Sequence, residues 1–152
     1  MTQASHSTVP DGTYLFTLGL KDRSSTLLVD RAGLLRTVIA EVQQERPFAI
    51  DTVVILPDRI HAIWTLPEGD TDYLTRWAAI KSRFERALAG SSLVPDTIWQ
   101  QRVKAFAIRS PADLERHRKT CLAGPVDAGL VDRPSRWPHA SFHGPRATRQ
   151  AA

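Results

Sequence analysis

Residues 48–67, FAIDTVVILPDRIHAIWTLP, constrain the fold more than any other stretch of the chain. Two dense apolar runs are separated by Pro57-Asp58, a pair suited to a tight turn. They read as the two strands of a hairpin. Apolar residues on consecutive positions, especially in the first run, point to a central place in a sheet or burial on both faces. A central hairpin needs strands beside it and helices over it.

The flanking sequence supplies both. TYLFTLGL, residues 13–20, is an aromatic and β-branched run that follows Pro10-Asp11-Gly12 and reads as a strand. From about Asp30, Leu34, Leu35, Val38, Ile39 and Val42 recur at three- and four-residue spacing, the pattern of an amphipathic helix that stops before Pro47. A second helix runs from about Thr71 to Ala89, with Tyr73, Trp77, Ile80, Phe84 and Leu88 as its buried stripe and Gly90 as its C-terminal cap. Arg76, Lys81, Arg83 and Arg86 fall mostly off that stripe. WQQRVKAFAIR, residues 99–109, reads as a fourth strand after the SSLVPD loop. A third helix starts at Ser110 as N-cap, with Pro111 in its first turn and Asp113 at the capping-box position, and ends near Gly124-Pro125.

This order predicts an α+β, ferredoxin-like split βαβ fold (β-α-β-β-α-β). The expected sheet has four antiparallel strands with two helices on one face, and the additional C-terminal helix lies elsewhere. Residues 13–143 form one expected domain, and residues 1–12 and 144–152 are expected to be disordered ends.

Composition narrows the setting. Cys121 is the single cysteine, which excludes an internal disulfide and a cysteine-rich zinc site. The N-terminus lacks the pattern of a signal peptide and no apolar run approaches the roughly 20 residues that span a bilayer. A cytoplasmic location and no membrane partner are expected. Net charge is +4, unevenly placed: residues 1–75 carry 6 Lys+Arg against 10 Asp+Glu, and residues 76–152 carry 14 against 6. A basic second half suits a polyanionic partner, and it equally suits a solvated arginine-rich surface.

Within the hairpin, Arg59 and His61 are two residues apart on one strand and so share a face. Two histidines at that spacing would be half of a metal site. An arginine has no lone pair to offer a metal.

Seven segments in order, YLFTLGLKDR, PFAIDTVVILPDRIHAIWTLPEGD, RWAAIKSRFERAL, IWQQR, ADLERH, GPVDAGLV and WPHASFH, resemble the REP-associated tyrosine transposases. These are single-tyrosine, HUH-type DNA nucleases related to small insertion-sequence transposases, and the resemblance spans about residues 13 to 143. It implies hairpin or single-stranded DNA as partner, and it leaves a homodimer open. In the family, two histidines flanking a hydrophobic residue hold Mg²⁺ or Mn²⁺, a helix-borne tyrosine attacks the scissile phosphate, and a polar residue one turn later completes the metal shell.

Carried over position by position, the histidine pair falls on Arg59-Ile60-His61, the tyrosine on Thr120 and the last polar ligand on Gly124. Tyr14 and Tyr73, the only tyrosines, lie outside that helix, and His117 one turn before Thr120 matches an ordinary helix histidine. Three departures at the chemical positions imply a member with no intact catalytic residue and a lost metal site, His61 remaining as a weak, incomplete ligand or as hydrogen-bonded structure. Arg59 then has two readings, a replacement for the metal charge that grips a phosphate or an exposed strand-end arginine. Lys81, Arg83, Arg86, Arg102, Lys104, Arg116, Arg118 and Lys119 are the further candidates for phosphate contact, each of which also fits a solvated face. Trp99, Trp137 and Phe142 suit base stacking or core packing. The rival functions are an active metal-dependent nuclease using His61 with unrecognised partners, a decayed relic, and a protein-interaction module.

Overall fold

A computed structural model describes residues 9–90 and 97–142 of the 152. The chain runs β1 (Thr13–Gly19), α1 (Leu27–Asp30), α2 (Ala32–Glu45), β2 (Ala49–Ile55), β3 (Arg59–Thr65), α3 (Tyr73–Ala89), β4 (Lys104–Ala107), α4 (Pro111–Asp127), a 3₁₀ turn (Pro134–Arg136) and β5 (Ala140–Phe142). It is a mixed α/β fold around an antiparallel sheet of order β4-β1-β3-β2-β5. The hairpin is central, as its apolar runs require. The expected ends and the SSLVPD loop fall, but for a few flanking residues, outside the described residues.

Period-two alternation gives the sheet two apolar faces. Phe16, Leu18, Ile55, Ile60, Ala62 and Trp64 face α2 and α3, where Trp77, Ile80 and Phe84 complete the larger core. Trp64 and Trp77 stack with centroids 4.4 Å apart, and Phe48 packs 4.0 Å from Trp64. Aromatic pairs of this kind contribute about 0.5–1.5 kcal/mol each beyond their burial. Val54, Leu56 and Ile63 face the other way and pack with Ile108 and Cys121, against Leu114, Leu122 and Trp137. The third helix is therefore a cover for the second sheet face.

Five expectations need correction. The sheet has five strands, because residues 140–142 pair with β2 through Thr52↔Phe142, Val53↔Ser141 and Val54↔Ala140. Three residues are too short for alternation to show, and the free edge of β2 recruits them. The fourth strand is confined to Lys104–Ala107, with only a Leu20↔Trp99 bridge before it. Trp99 turns inward instead, fully buried, with its indole N–H donating to the Lys81 carbonyl. The expected first helix is α2, but an unexpected one-turn helix, α1, precedes it and is separated from it at Arg31 (φ −120°, ψ 34°). The last helix continues through Gly124-Pro125 to Asp127 and stops before Gly129, whose φ is +76°. A glycine before the proline has no Cβ to clash with the ring, so the helical backbone survives there.

Arg76 is the fifth correction. It is 4% exposed, not on an outer face. Its guanidinium donates to the carbonyls of Arg46, Pro47 and Asp72 and to both oxygens of Asp70. Arg46 is the C-cap of α2, so this cation serves carbonyls that the helix leaves without partners.

Candidate functional site

Strand register places the site. Lys104 pairs with Thr17, Thr17 with His61, and His61 with Val54, so these four side chains form one row across the α4-facing side of the sheet. The next row is Phe106, Leu15, Ile63 and Thr52. Arg59 lies two residues before His61 and shares its face.

Both nitrogens of His61 are engaged. Arg59 Nε donates to Nε2 at 3.3 Å, and Nδ1 lies 3.0 Å from Thr17 Oγ1. A guanidinium nitrogen only donates, so Nε2 is the unprotonated acceptor. The ring therefore carries its proton on Nδ1 and donates it to Thr17. Burial, followed by the Arg59 charge, pushes the His61 pKa down to about 4, with Asp58 opposing and Arg23 adding to the depression. The imidazole is neutral at neutral pH. Asp58, nearly buried, accepts from Arg59 Nη1 at 3.0 Å and from Arg23 Nε at 2.7 Å, so one carboxylate holds two guanidinium groups.

Helix α4 crosses over this row at Gly124. A Cβ added there would lie 3.9 Å from His61 Cδ2 and 3.6 Å from Leu56 Cδ1. Thr120 is one turn earlier on the same side of the helix. It is exposed, and its hydroxyl donates to the Arg116 carbonyl at 3.0 Å. Among the described residues no group of three or more His, Cys, Asp or Glu side chains is placed to hold a metal ion.

The candidate phosphate contacts divide between the two layers. Lys104 belongs to the His61 row and is exposed. Arg116, paired with Asp113 at 2.6 Å, and Lys119 are exposed on α4. Arg118 turns inward, donating through Nε (2.9 Å) and Nη2 (2.5 Å) to Asp51, and it ties α4 to the β2 bulge between Ile50 and Thr52. Lys81, Arg83 and Arg86 lie on α3, across the sheet from His61. Arg83 pairs with Glu45 and lies 3.8 Å from Glu41, bridging α3 to α2. Lys81 donates to the Gln100 and Gln101 carbonyls, and with Arg102 it rims an apolar groove of about 470 Å³ floored by Leu74, Trp77 and Val103. Arg86 is exposed.

Of the aromatic candidates, Trp99 is core and Trp137 is anchored by its indole N–H on the Ile55 carbonyl at 2.9 Å. Sequence reasoning missed Thr17, Asp58 and Arg23 as partners of the Arg59–His61 pair. The alternation of β1 places Thr17 on the same face as Leu15, but only the β1–β3 register brings it to His61.

This arrangement can be set beside known proteins. No family model matches the chain. It is 40% identical over 135 residues to the REP-associated tyrosine transposase of Escherichia coli, covering 89% of this chain and 79% of that protein. The chain belongs to the REP-associated tyrosine transposase family. A Haemophilus influenzae protein assigned to the same group is 33% identical over 141 residues, covering 87% and 80% of the two chains. A solved structure of a REP-associated tyrosine transposase bound to a REP hairpin superposes with a TM-score of 0.81 at 40% identity, over 89% of this chain and 79% of that one. A Deinococcus radiodurans protein described as a transposase, 14% identical with a TM-score of 0.53 over 74% and 91% of the chains, shares the fold alone. Among the described residues of this family member, no helix is long and apolar enough to cross a membrane.

Proposed function

We propose that this chain is a DNA-binding family member that takes hairpin or single-stranded DNA and does not cut it through a tyrosine. Its first four strands with α2 and α3 correspond to the ferredoxin-like unit, and α4 with the His61 row forms the DNA-facing layer. The observation that carries the reading is the hydrogen bond from Arg59 Nε to His61 Nε2. It uses the lone pair that a family Mg²⁺ or Mn²⁺ would need, while Gly124 on the facing helix has no ligand to offer. The residues present do not fit the metal. Thr120, at the carried-over tyrosine position, has a short side chain bonded to its own helix.

Lys104, Arg116 and Lys119 are the phosphate contacts this reading favours, being exposed on the site's own layer. Arg59 takes part through Nη2, which makes no hydrogen bond among the described residues. A labelled hairpin oligonucleotide incubated with Mn²⁺ or Mg²⁺ tests the whole reading. A mobility shift without a covalent adduct is expected, weakening as salt rises. A protein–DNA adduct refutes loss of cleavage, and absence of binding at low salt favours a relic.

A further inference from the structure

The second row of the site layer ends in a side chain that is largely exposed. Phe106 is 57% exposed, and among the described residues it is the single aromatic among the exposed large hydrophobics. It stands on the outermost strand, paired with Leu15, on the face that carries His61. Helix α4 packs chiefly over β2 and β3 and leaves this end open. His117 reaches across, its ring centroid 5.3 Å from that of Phe106 with the planes at 58°. His117 Nε2 is closed off from water and has no hydrogen-bond partner among the described residues.

We propose that Phe106, steadied by His117, is a stacking platform for an unpaired base of the DNA strand. The inference rests on the DNA-binding reading above and adds to it a site for a single-stranded nucleotide. Exposing a phenyl ring to water is unfavourable, and a base has an apolar face of matching shape. The charge around the ring fits the rest of the nucleotide. Lys104 lies on the same face two residues away, about 7 Å along the strand. Arg116 and Lys119 are exposed on the helix alongside, and the Asp113 carboxylate is already paired with Arg116. A base on Phe106 would thus have a cation at the distance of its own backbone.

The test compares hairpins of one stem, blunt or with an unpaired 5′ or 3′ extension, by fluorescence anisotropy. Phe106→Ala should weaken an extended hairpin by about 10-fold or more and leave the blunt hairpin unchanged. Phe106→Trp should keep wild-type affinity, which separates stacking from a folding defect. The salt slope should survive Phe106→Ala, because no charge is removed, and should fall by about one in Lys104→Ala. Equal loss on both hairpins, no loss on either, or a Phe106→Trp protein as weak as Phe106→Ala would overturn the platform. So would a concentration-dependent dimer that Phe106→Ala abolishes without affecting discrimination, since a second copy would then be the occupant. Failure of the wild type to bind any hairpin would instead bring down the DNA-binding reading itself.

Discussion

Replacing Arg59 with alanine should change how His61 titrates. In the native protein the His61 pKa stands at about 4 against an ordinary 6.5. That gap corresponds to about 3 kcal/mol favouring the neutral ring. The sign follows from proton uptake. Between about pH 4 and 6.5 the unfolded chain protonates this histidine while the folded one does not, so stability rises with pH across that window. The contribution is complete above 6.5 and is lost as pH falls toward 4. Burial is the largest cause and Arg59 the second. Arg59→Ala should therefore raise the His61 pKa but leave it below 6.5, and should shrink the pH-dependent part of stability. Lost hydrogen bonds to Asp58 and His61 should also lower stability at pH 7 by about 1–2 kcal/mol. The measurement is an NMR titration of the imidazole Cε1–H, paired with urea unfolding at pH 4.5 and 7. A His61 that still titrates near 4 in the variant would refute the assignment of Arg59 as its charged neighbour.

Two further substitutions probe the frame around the site. Arg76→Ala leaves three carbonyls and Asp70 without their shared donor and should cost about 3 kcal/mol, read by urea unfolding. A loss below half of that would mean water replaces the guanidinium. Gly124→Ala meets only ordinary tertiary contacts, at 3.6 and 3.9 Å, but its Cβ also meets the ring of Pro125, so the helix-propensity gain of about 0.5–1 kcal/mol is offset and urea unfolding should show no stabilisation. A Gly124→Ala protein that gains the full increment of about 0.5–1 kcal/mol would refute the role of the missing Cβ beside Pro125.

Legibility followed the range of each interaction. The hairpin, β1 and α3 were readable because periodicity within a segment reports burial directly. Ser110 was readable as an N-cap, and its side chain accepts from the Asp113 amide at 3.1 Å. Asp113 itself departs from the capping-box pattern and binds Arg116 instead. β5 was not readable, since three residues gain strand geometry only from the β2 edge. Arg76 illustrates the same limit: its place in the helical pattern looks peripheral, and its burial depends on carbonyls 29 and 30 residues away in sequence. Among the charged candidates, type and position on the chain could not separate Arg118, fixed on Asp51, from Lys119, which is exposed. The separation depends on which way α4 turns against the sheet.

On the proposed reading, Arg59 and a divalent metal exclude one another for a reason more specific than charge. Both need the Nε2 lone pair of His61, and only one can have it. The neutral tautomer that a metal site would require is present, fixed by Thr17 on Nδ1. The ring is thus oriented as a ligand would be and is satisfied by a covalently attached cation. Asp58, shared by Arg59 and Arg23, holds that cation in place. Restoring Arg59→His alone would free Nε2, but it would leave Gly124 opposite with no side chain and would leave Asp58 with Arg23 as its one remaining guanidinium. On the proposed reading, a metal shell requires a change on both the strand and α4, and nucleophilic cleavage requires a third at Thr120. Because these three positions lie on two elements that pack against each other, the substitutions are coupled. Single reversions should restore neither metal binding nor cleavage.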